Sequence, residues 1–234
     1  NPETTSVREK RQSYLNNTLY HAVLQVPFYR NFSGFVSLQD FPVINKSILR
    51  ERQESFFAEG FLRDNLHKVT TSGSTGAPLT VWQDRTKRAR HTAENIFFSE
   101  LAGFPLGSRL YYLRVWNEIN RKSFLQGLSQ NIVMQDAGDL SDQSLESFIR
   151  KLEKDNSTKS VLAFSSTFEA LAMYLARRQE KINTRVNCLI TISETLPKGA
   201  RAVLKDAFRC PVISRYSNME NGFLAQQCGD ESGE

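Results

Sequence analysis

The chain has 234 residues, 40% of them hydrophobic, so it can bury the core of one large domain or of two small ones. It contains no apolar run long enough to span a bilayer, and its polar start is unlike a signal peptide. The net charge of +5 raises nucleic-acid binding as a hypothesis, but the 30 basic residues are dispersed among 25 acidic ones, which argues against it.

The cysteines indicate a reducing environment. Cys188, Cys210 and Cys228 are odd in number and widely spaced, so they predict neither a disulfide framework nor a zinc motif within the chain. A cytoplasmic location is therefore expected. Cys228 could join a metal cluster completed by residues beyond the chain, although an ordinary thiol is the favoured interpretation. The missing initiator methionine and the abrupt polar ending predict a trimmed or truncated chain.

In chain order, residues 1–68 are predicted to form an N-terminal helical segment, and residues 69–234 an α/β nucleotide-binding region. The second region opens with a loop between Val69 and the strand-like residues 79–82. Its glycines allow positive φ and a close approach to a ligand, and its hydroxyls add to the free backbone N–H groups. The residues of this loop that we expect to contact a polyphosphate are Thr71, Ser72, Gly73, Ser74, Thr75 and Gly76.

The composition of this loop has two alternative interpretations. A Walker A motif is excluded because no Lys-Ser/Thr pair follows Gly76. A flexible Ser/Gly hairpin is the ordinary interpretation of such a composition, and the order of the residues is what favours phosphate binding.

A dense basic run at residues 85–91 follows Asp84, which is predicted to begin a helix. On a helix this run would surround the whole cylinder instead of forming one stripe. We therefore favour a solvated first turn of a surface helix. The alternative is that the run steers ATP, or the 3′-phosphate of coenzyme A, towards the neighbouring loop.

Short apolar strands then alternate with helices. This pattern predicts a parallel sheet that is covered on both faces by helices, with ligands bound at the carboxyl ends of the strands. The predicted strands are 109–115, 131–134, 160–164, 188–192 and 211–214, and the predicted helices are 140–155, capped by Asp139 or Ser141, 166–181 and 197–208.

Two predicted loops leave the carboxyl ends of neighbouring strands in this scheme. The first carries Ser193, Glu194 and Thr195, and the second runs from Tyr216 to Glu220. An aromatic ring can stack on any base, and a carboxylate suits Mg²⁺. Taken singly, such residues are more often packed or solvated than functional. Their order after the phosphate loop favours function. The three histidines have no recognisable partners and are interpreted as non-catalytic.

Three segments of the chain resemble the adenylate-forming enzymes, the superfamily of acyl-CoA ligases, luciferases and peptide-synthetase adenylation domains. They are residues 71–78 (TSGSTGAP), residues 26–30 (VPFYR) with 41–50 (FPVINKSILR), and residues 215–220 (RYSNME). The Pro-Leu ending at 78–79 and the second segment are similar to the phenylacetate-coenzyme A ligase branch and its relatives in capsular polysaccharide biosynthesis. The fold implied is α/β, with mostly parallel sheets flanked by helices, as in an incomplete large N-terminal domain.

The resemblance implies that ATP and a small-molecule carboxylate react to form an acyl-adenylate. Coenzyme A would then react with this adenylate to form a thioester. It assigns Thr71 and Glu220 to catalysis, with Glu220 as the Mg²⁺ ligand. Tyr216 would stack on adenine, with Ser217 beside it. The 193–195 segment would line the adenine pocket, and it matches the family through Glu194 alone. No nucleic-acid partner and no membrane span are expected, and a homodimer stays open.

Departures from the family leave a second hypothesis open. Ser217 replaces the usual glycine, and Met219 replaces a residue with a hydroxyl that would contact the α-phosphate. The ribose-binding aspartate and the catalytic lysine of the family have no counterpart in these 234 residues. The alternative is therefore a catalytically inactive nucleotide-binding or interaction module derived from the same fold. A basic nucleic-acid binder is the third and least favoured hypothesis.

Overall fold

The computed structural model describes residues 5–70, 79–118, 120–179 and 181–228. The chain forms two compact units, Asn1–Arg85 and Thr86–Glu234, and each is described by itself. The sequence predicts that the nucleotide-binding region begins at residue 69. This boundary refers to function and not to compactness, so it stays a prediction.

The first unit is mostly helical and ends in an antiparallel β-hairpin. Its elements are α1 (Thr5–Gln25), α2 (Lys46–Glu51), β1 (His67–Thr70), β2 (Thr80–Gln83) and the 3₁₀ helices Pro27–Phe32, Leu38–Asp40, Gln53–Phe56 and Arg63–Asn65. A cluster of aromatic rings packs the short helices together. Phe28 stacks on Phe56 with ring centroids 4.2 Å apart, and Phe32 stacks on Phe41 at 5.9 Å. In the hairpin, Val69 pairs with Val81.

The second unit is built on a six-stranded sheet in the order β4-β3-β5-β6-β7-β8. The strands are β3 (Arg109–Arg114), β4 (Ile132–Asp136), β5 (Lys159–Phe164), β6 (Leu189–Ile192), β7 (Val212–Asn218) and β8 (Gly222–Gln226). The helices are α3 (Arg85–Leu101), α4 (Phe124–Ser129), α5 (Asp142–Lys154), α6 (Ser165–Arg178) and α7 (Lys198–Phe208). All neighbouring strands are parallel except β8, which is antiparallel to β7. The predicted α/β class and its mostly parallel sheet are confirmed.

Helices α5, α6 and α7 cover one face of this sheet and bury the main core. Helix α5 shows why: Ser141 Oγ accepts a hydrogen bond from Ser144 N as the N-cap, and four apolar residues recur at helical spacing along its buried side. These four are Leu145, Phe148, Ile149 and Leu152. They pack with strand residues such as Val161 and Leu189, which are fully buried. The alternative cap, Asp139, instead accepts hydrogen bonds from Ser141.

Helix α3 and the residues after it lie on the opposite face. Ala102 packs against Ile190 and Ile213 there, and the Phe98 ring stacks on Phe223 of β8 at 5.1 Å. On this face the side chains of β3 and β5 are half-buried, for example Tyr112 and Phe164. The prediction of helices on both faces is therefore confirmed, with denser coverage on the side of α5 to α7.

Two predicted strand ends are wrong. Strand β4 runs to Asp136 and not to residue 134. The predicted strand 211–214 continues to Asn218, because β7 pairs in antiparallel register with β8, a strand that the sequence pattern did not indicate. Tyr216 and Ser217 therefore lie on a strand and not in a loop. In the part of the chain that the structure describes, no helix has the length and apolar character required to cross a membrane.

Candidate functional site

The two predicted site segments of the second unit meet at the carboxyl edge of the sheet. Ile192, the last residue of β6, pairs with Arg215 on β7 and with Phe164 at the end of β5. Ser193 follows the end of β6 and Tyr216 is the next residue of β7, so the structure brings the two segments together. This is the edge at which parallel α/β sheets bind ligands.

The 193–195 segment is held in place by a serine that sequence reasoning missed. Ser165 Oγ donates to the Glu194 carbonyl at 2.5 Å and lies 2.7 Å from Thr191 Oγ1, and both hydroxyl-bearing residues are buried. Ser193 has a φ of 75°, in the left-handed region that a non-glycine residue rarely adopts. The side chains of residues 193–195 are all exposed at the edge. A serine directly after an apolar strand was the available signal for Ser165.

Tyr216 presents its ring at the surface. It pairs with Ala225 of β8, and 64% of the residue is exposed. Packing in the core, which is the ordinary role of a tyrosine after a strand, is thus excluded. A register shift follows between Tyr216 and Ser217, and Ser217, which pairs with Phe223, is half-buried. The exposed ring is available for stacking on a planar ligand.

Glu220 lies in the tight turn between β7 and β8. Asn218 Oδ1 accepts a hydrogen bond of 2.7 Å from Asn221 N and closes this turn. The half-buried Glu220 side chain makes no hydrogen bond or ion pair with the residues that the structure describes. A carboxylate of this kind can give one oxygen to Mg²⁺ if phosphate and water supply the others. Within the described ranges, no group of three or more metal-binding side chains occurs, and Cys228 is an exposed free thiol.

The turn is also anchored to α3. Lys87 Nζ donates a hydrogen bond to the Asn221 carbonyl, so this member of the basic run has a structural contact. The exposed Arg85, Arg88 and Arg90 agree with the solvated surface that the run predicts. Gly222 has a φ of 89°, and a Cβ there would lie 3.2 Å from Glu94 Oε2.

Arg215 fixes the hairpin from the inner side of the sheet and was also missed. Its Nε donates to Gln226 Oε1 at 2.9 Å, one Nη donates to Ser99 Oγ at 3.3 Å, and its guanidinium lies 4.5 Å from the centroid of the Phe223 ring. Burial lowers the pKa of Arg215 to about 10. These partners are neutral, so no carboxylate among the described residues balances the positive charge of the buried Arg215.

The predicted phosphate loop, Thr71 to Gly76, lies outside the described residues. Its flanks are described: Thr70 pairs with Thr80 in the hairpin, and their Oγ1 atoms are 3.3 Å apart. The role of the loop therefore stays a prediction.

A cavity of about 780 Å³ in the second unit lies at the opposite edge of the sheet. Residues that precede β3, β6 and β7 line it, among them Gly103, Asn187 and Pro211, and no predicted site residue does. The carboxyl edge is the edge at which parallel α/β sheets bind ligands, so this cavity lies away from the predicted site residues.

No family model and no curated protein matches this chain. Two similar solved structures are crystal structures of 2-hydroxyisobutyryl-CoA ligase in complex with 2-HIB-AMP and CoA. The open conformation has a TM-score of 0.65, 19% sequence identity, and coverage of 97% of this chain and 58% of that chain. The thioesterification state has a TM-score of 0.66, 19% identity, and coverage of 97% and 53%. The chain thus has the fold of part of an acyl-CoA ligase and spans about half the length of these structures.

Proposed function

We propose that this protein activates a carboxylic acid with ATP to an acyl-adenylate and then transfers the acyl group to the thiol of coenzyme A. The observation that carries the proposal is the pairing of Ile192 with Arg215. It brings Tyr216, whose ring is exposed, and Ser193 to the same edge of the sheet on neighbouring strands. The shared fold with ligases crystallised with an AMP derivative and CoA supports the same reaction class.

In the first half-reaction, a carboxylate oxygen forms a bond to the α-phosphorus, and the bond to pyrophosphate breaks in line. Tyr216 seats the adenine, with Ser217 and residues 193–195 around it. The loop from Thr71 to Gly76 binds the β- and γ-phosphates through backbone N–H groups and hydroxyls. Glu220 would hold Mg²⁺, which would neutralise charge on the phosphates. Positioning and charge neutralisation are the main contributions that such a site makes.

The finer assignments belong to this proposal as well. Similarity of residues 26–30 and 41–50 to the phenylacetate-coenzyme A ligase branch, with its capsular polysaccharide relatives, supports an acid-CoA ligase of that branch. A cytoplasmic location is a further prediction, because the cysteines predict no disulfide framework, whereas a homodimer stays open.

A catalytically inactive nucleotide-binding or interaction module is the second candidate. Met219 favours it, because its thioether occupies the place of a hydroxyl that would contact the α-phosphate. The Met219 residue is 53% exposed. The two candidates differ in one measurement. The ligase catalyses carboxylate-dependent exchange of pyrophosphate into ATP, whereas the module binds ATP without exchange.

The test uses the full-length protein, a panel of aryl, fatty and amino acids for exchange, and ATP-Mg binding by calorimetry. Gly76→Val is expected to abolish ATP binding, because a side chain enters where phosphate must approach. Gly34→Val is the control, since Gly34 has open space around it and is expected to keep ATP binding. Unchanged ATP affinity in a folded Gly76→Val protein would show that the loop is a plain turn.

A further inference from the structure

Arg114 lies at the same carboxyl edge as the proposed site, but two strands away from β6. It is the last residue of β3 and pairs with Asp136 of β4. Its neighbour Leu113 is buried in the core under α5 to α7, and because side chains alternate along a strand, Arg114 and Tyr112 lie on the opposite face. Arg114 therefore belongs to the half-buried surface of β3 and β5.

Two aromatic rings enclose the Arg114 guanidinium. Its Cζ lies 5.5 Å from the Tyr112 ring centroid and 5.3 Å from that of Trp116. Trp116 is itself fixed, because its Nε1 donates to the Gln135 carbonyl at 3.1 Å and its ring meets Tyr112 edge-on at 5.3 Å. The rings limit the movement of the guanidinium and lower the local dielectric, which strengthens any charged contact it makes.

The Arg114 guanidinium has no hydrogen-bond acceptor among the residues that the structure describes. Its Nε is buried without a partner, and the guanidinium makes no ion pair with these residues either. The two other arginines of the sheet differ: Arg109 binds Asp155 at 3.0 Å, and Arg215 binds Gln226 and Ser99. A buried donor without a partner is costly, so Arg114 is prepared for an acceptor that comes from outside these residues.

Apolar side chains separate Arg114 from the adenylate end of the edge. In strand order, Arg114 is followed by Phe164, Ile192 and Arg215, and the middle two are half-buried. Three strand spacings make the distance from Arg114 to Arg215 about 14 Å between Cα atoms. The surface between the cations thus suits a hydrocarbon segment. Asp136 is the carboxylate nearest in register, and its Oδ1 accepts from Trp116 N at 3.4 Å instead of binding Arg114.

We propose that Arg114 binds a second carboxylate of the acid substrate, and that the substrates are dicarboxylic acids with a hydrocarbon segment between the two carboxylates. One carboxylate reacts with ATP beside residues 193–195, and the hydrocarbon lies along Phe164 and Ile192. The planar guanidinium matches a carboxylate with two parallel hydrogen bonds. This inference rests on the proposed function, since it names the substrate class of that site.

The test compares acids that differ only at the far end: hexanoate with adipate, and phenylacetate with 1,4-phenylenediacetate. Exchange of pyrophosphate into ATP is measured with the full-length protein and without coenzyme A. We expect a higher kcat/KM for the diacid in at least one pair. Arg114→Gln should lower that diacid's kcat/KM by roughly 10- to 100-fold and leave the monoacid's value unchanged, because only the diacid loses a charged hydrogen bond.

Two further variants separate binding from folding. Arg114→Lys keeps the charge but not the paired geometry, so an intermediate diacid preference is expected even if Arg114→Gln is unstable. Arg150→Gln is the matched control, because Arg150 lies on the exposed side of α5 with its side chain 69% accessible, and it should leave the ratio of diacid to monoacid unchanged.

The inference is overturned if the monoacid is preferred in every pair, or if Arg114→Gln lowers both acids equally. It is also overturned if the variant changes only the KM for coenzyme A in the thioester assay, which would assign Arg114 to a phosphate of coenzyme A. Failure of every carboxylate to support exchange would refute the proposed function, and the inference with it.

Discussion

The hydrogen bonds of Ser165 allow the coupling between the core and the 193–195 segment to be measured. Ser165→Ala removes the bond to the Glu194 carbonyl and leaves the buried Thr191 hydroxyl without the partner that the structure shows. A net hydrogen bond contributes about 1 kcal/mol, and an unsatisfied buried hydroxyl costs about 1–3 kcal/mol. We therefore expect the free energy of unfolding to fall by roughly 2–4 kcal/mol.

Thr191→Val has a smaller effect, about 1 kcal/mol, because Ser165 can still donate to Glu194. In the double variant both hydroxyls are gone and none is left unsatisfied. Its loss should thus be about 1 kcal/mol less than the sum of the single losses. Urea unfolding followed by circular dichroism measures all three variants, with an unchanged denaturant slope as the condition for comparing them.

The functional consequence follows from the same geometry. Because Ser165 and not Thr191 contacts the Glu194 backbone, Ser165→Ala should raise the KM for ATP more than Thr191→Val does. Additive single losses, within about 0.5 kcal/mol, would refute the coupling. Equal KM values for ATP in the two single variants would refute the role of Ser165 in positioning the segment.

Three further predictions concern a pKa, a turn and the metal. Burial and the Asp155 carboxylate, whose Oδ2 is 2.7 Å from the phenol, raise the pKa of Tyr111 to about 12. The folded state therefore keeps a proton that the unfolded state releases above about pH 10, so stability should fall between pH 10 and 12, and Tyr111→Phe should abolish that fall in urea titrations. Gly222→Ala should lower the free energy of unfolding by about 1–2 kcal/mol, because φ is 89° and the new Cβ would lie 3.2 Å from a carboxylate oxygen. Gly199→Ala should instead raise it by about 0.5–1 kcal/mol, because Gly199 lies in helix α7 and a Cβ there would meet no neighbouring atom. Thermal melts that shift in the same direction for both glycine variants would contradict this. Glu220→Gln should raise the Mg²⁺ concentration required for exchange while stability stays within about 0.5 kcal/mol, and superimposed Mg²⁺ titrations of variant and parent would refute the metal role.

The regular elements of the second unit could be predicted from local pattern. Helix α5 carries its apolar residues at helical spacing after a serine cap, and β6 is an apolar run between two helices. Such signals are local, because they depend on the periodicity of burial and on the free N–H groups at a helix start. They also placed the 193–195 segment at the ligand edge.

The extension of β7 could not be predicted in the same way. Residues 215–218 are polar except for the aromatic ring of Tyr216. They form a strand because they pair with β8. Propensity in strands depends strongly on the neighbouring strand, so an edge hairpin of polar residues has a weak local signal. The prediction of a loop at Tyr216 was wrong for this reason.

The amino-acid sequence by itself determined the α/β class, the alternation of strands and helices, and the residue types that we propose for phosphate, adenine and metal binding. Tertiary structure alone decided which of these residues meet. The pairing of Ile192 with Arg215, the contact of Ser165 with Glu194, and the enclosure of Arg114 by two rings join residues far apart in the chain. Local periodicity reports how a segment folds, whereas strand order and register, which depend on packing across the whole sheet, determine its neighbours.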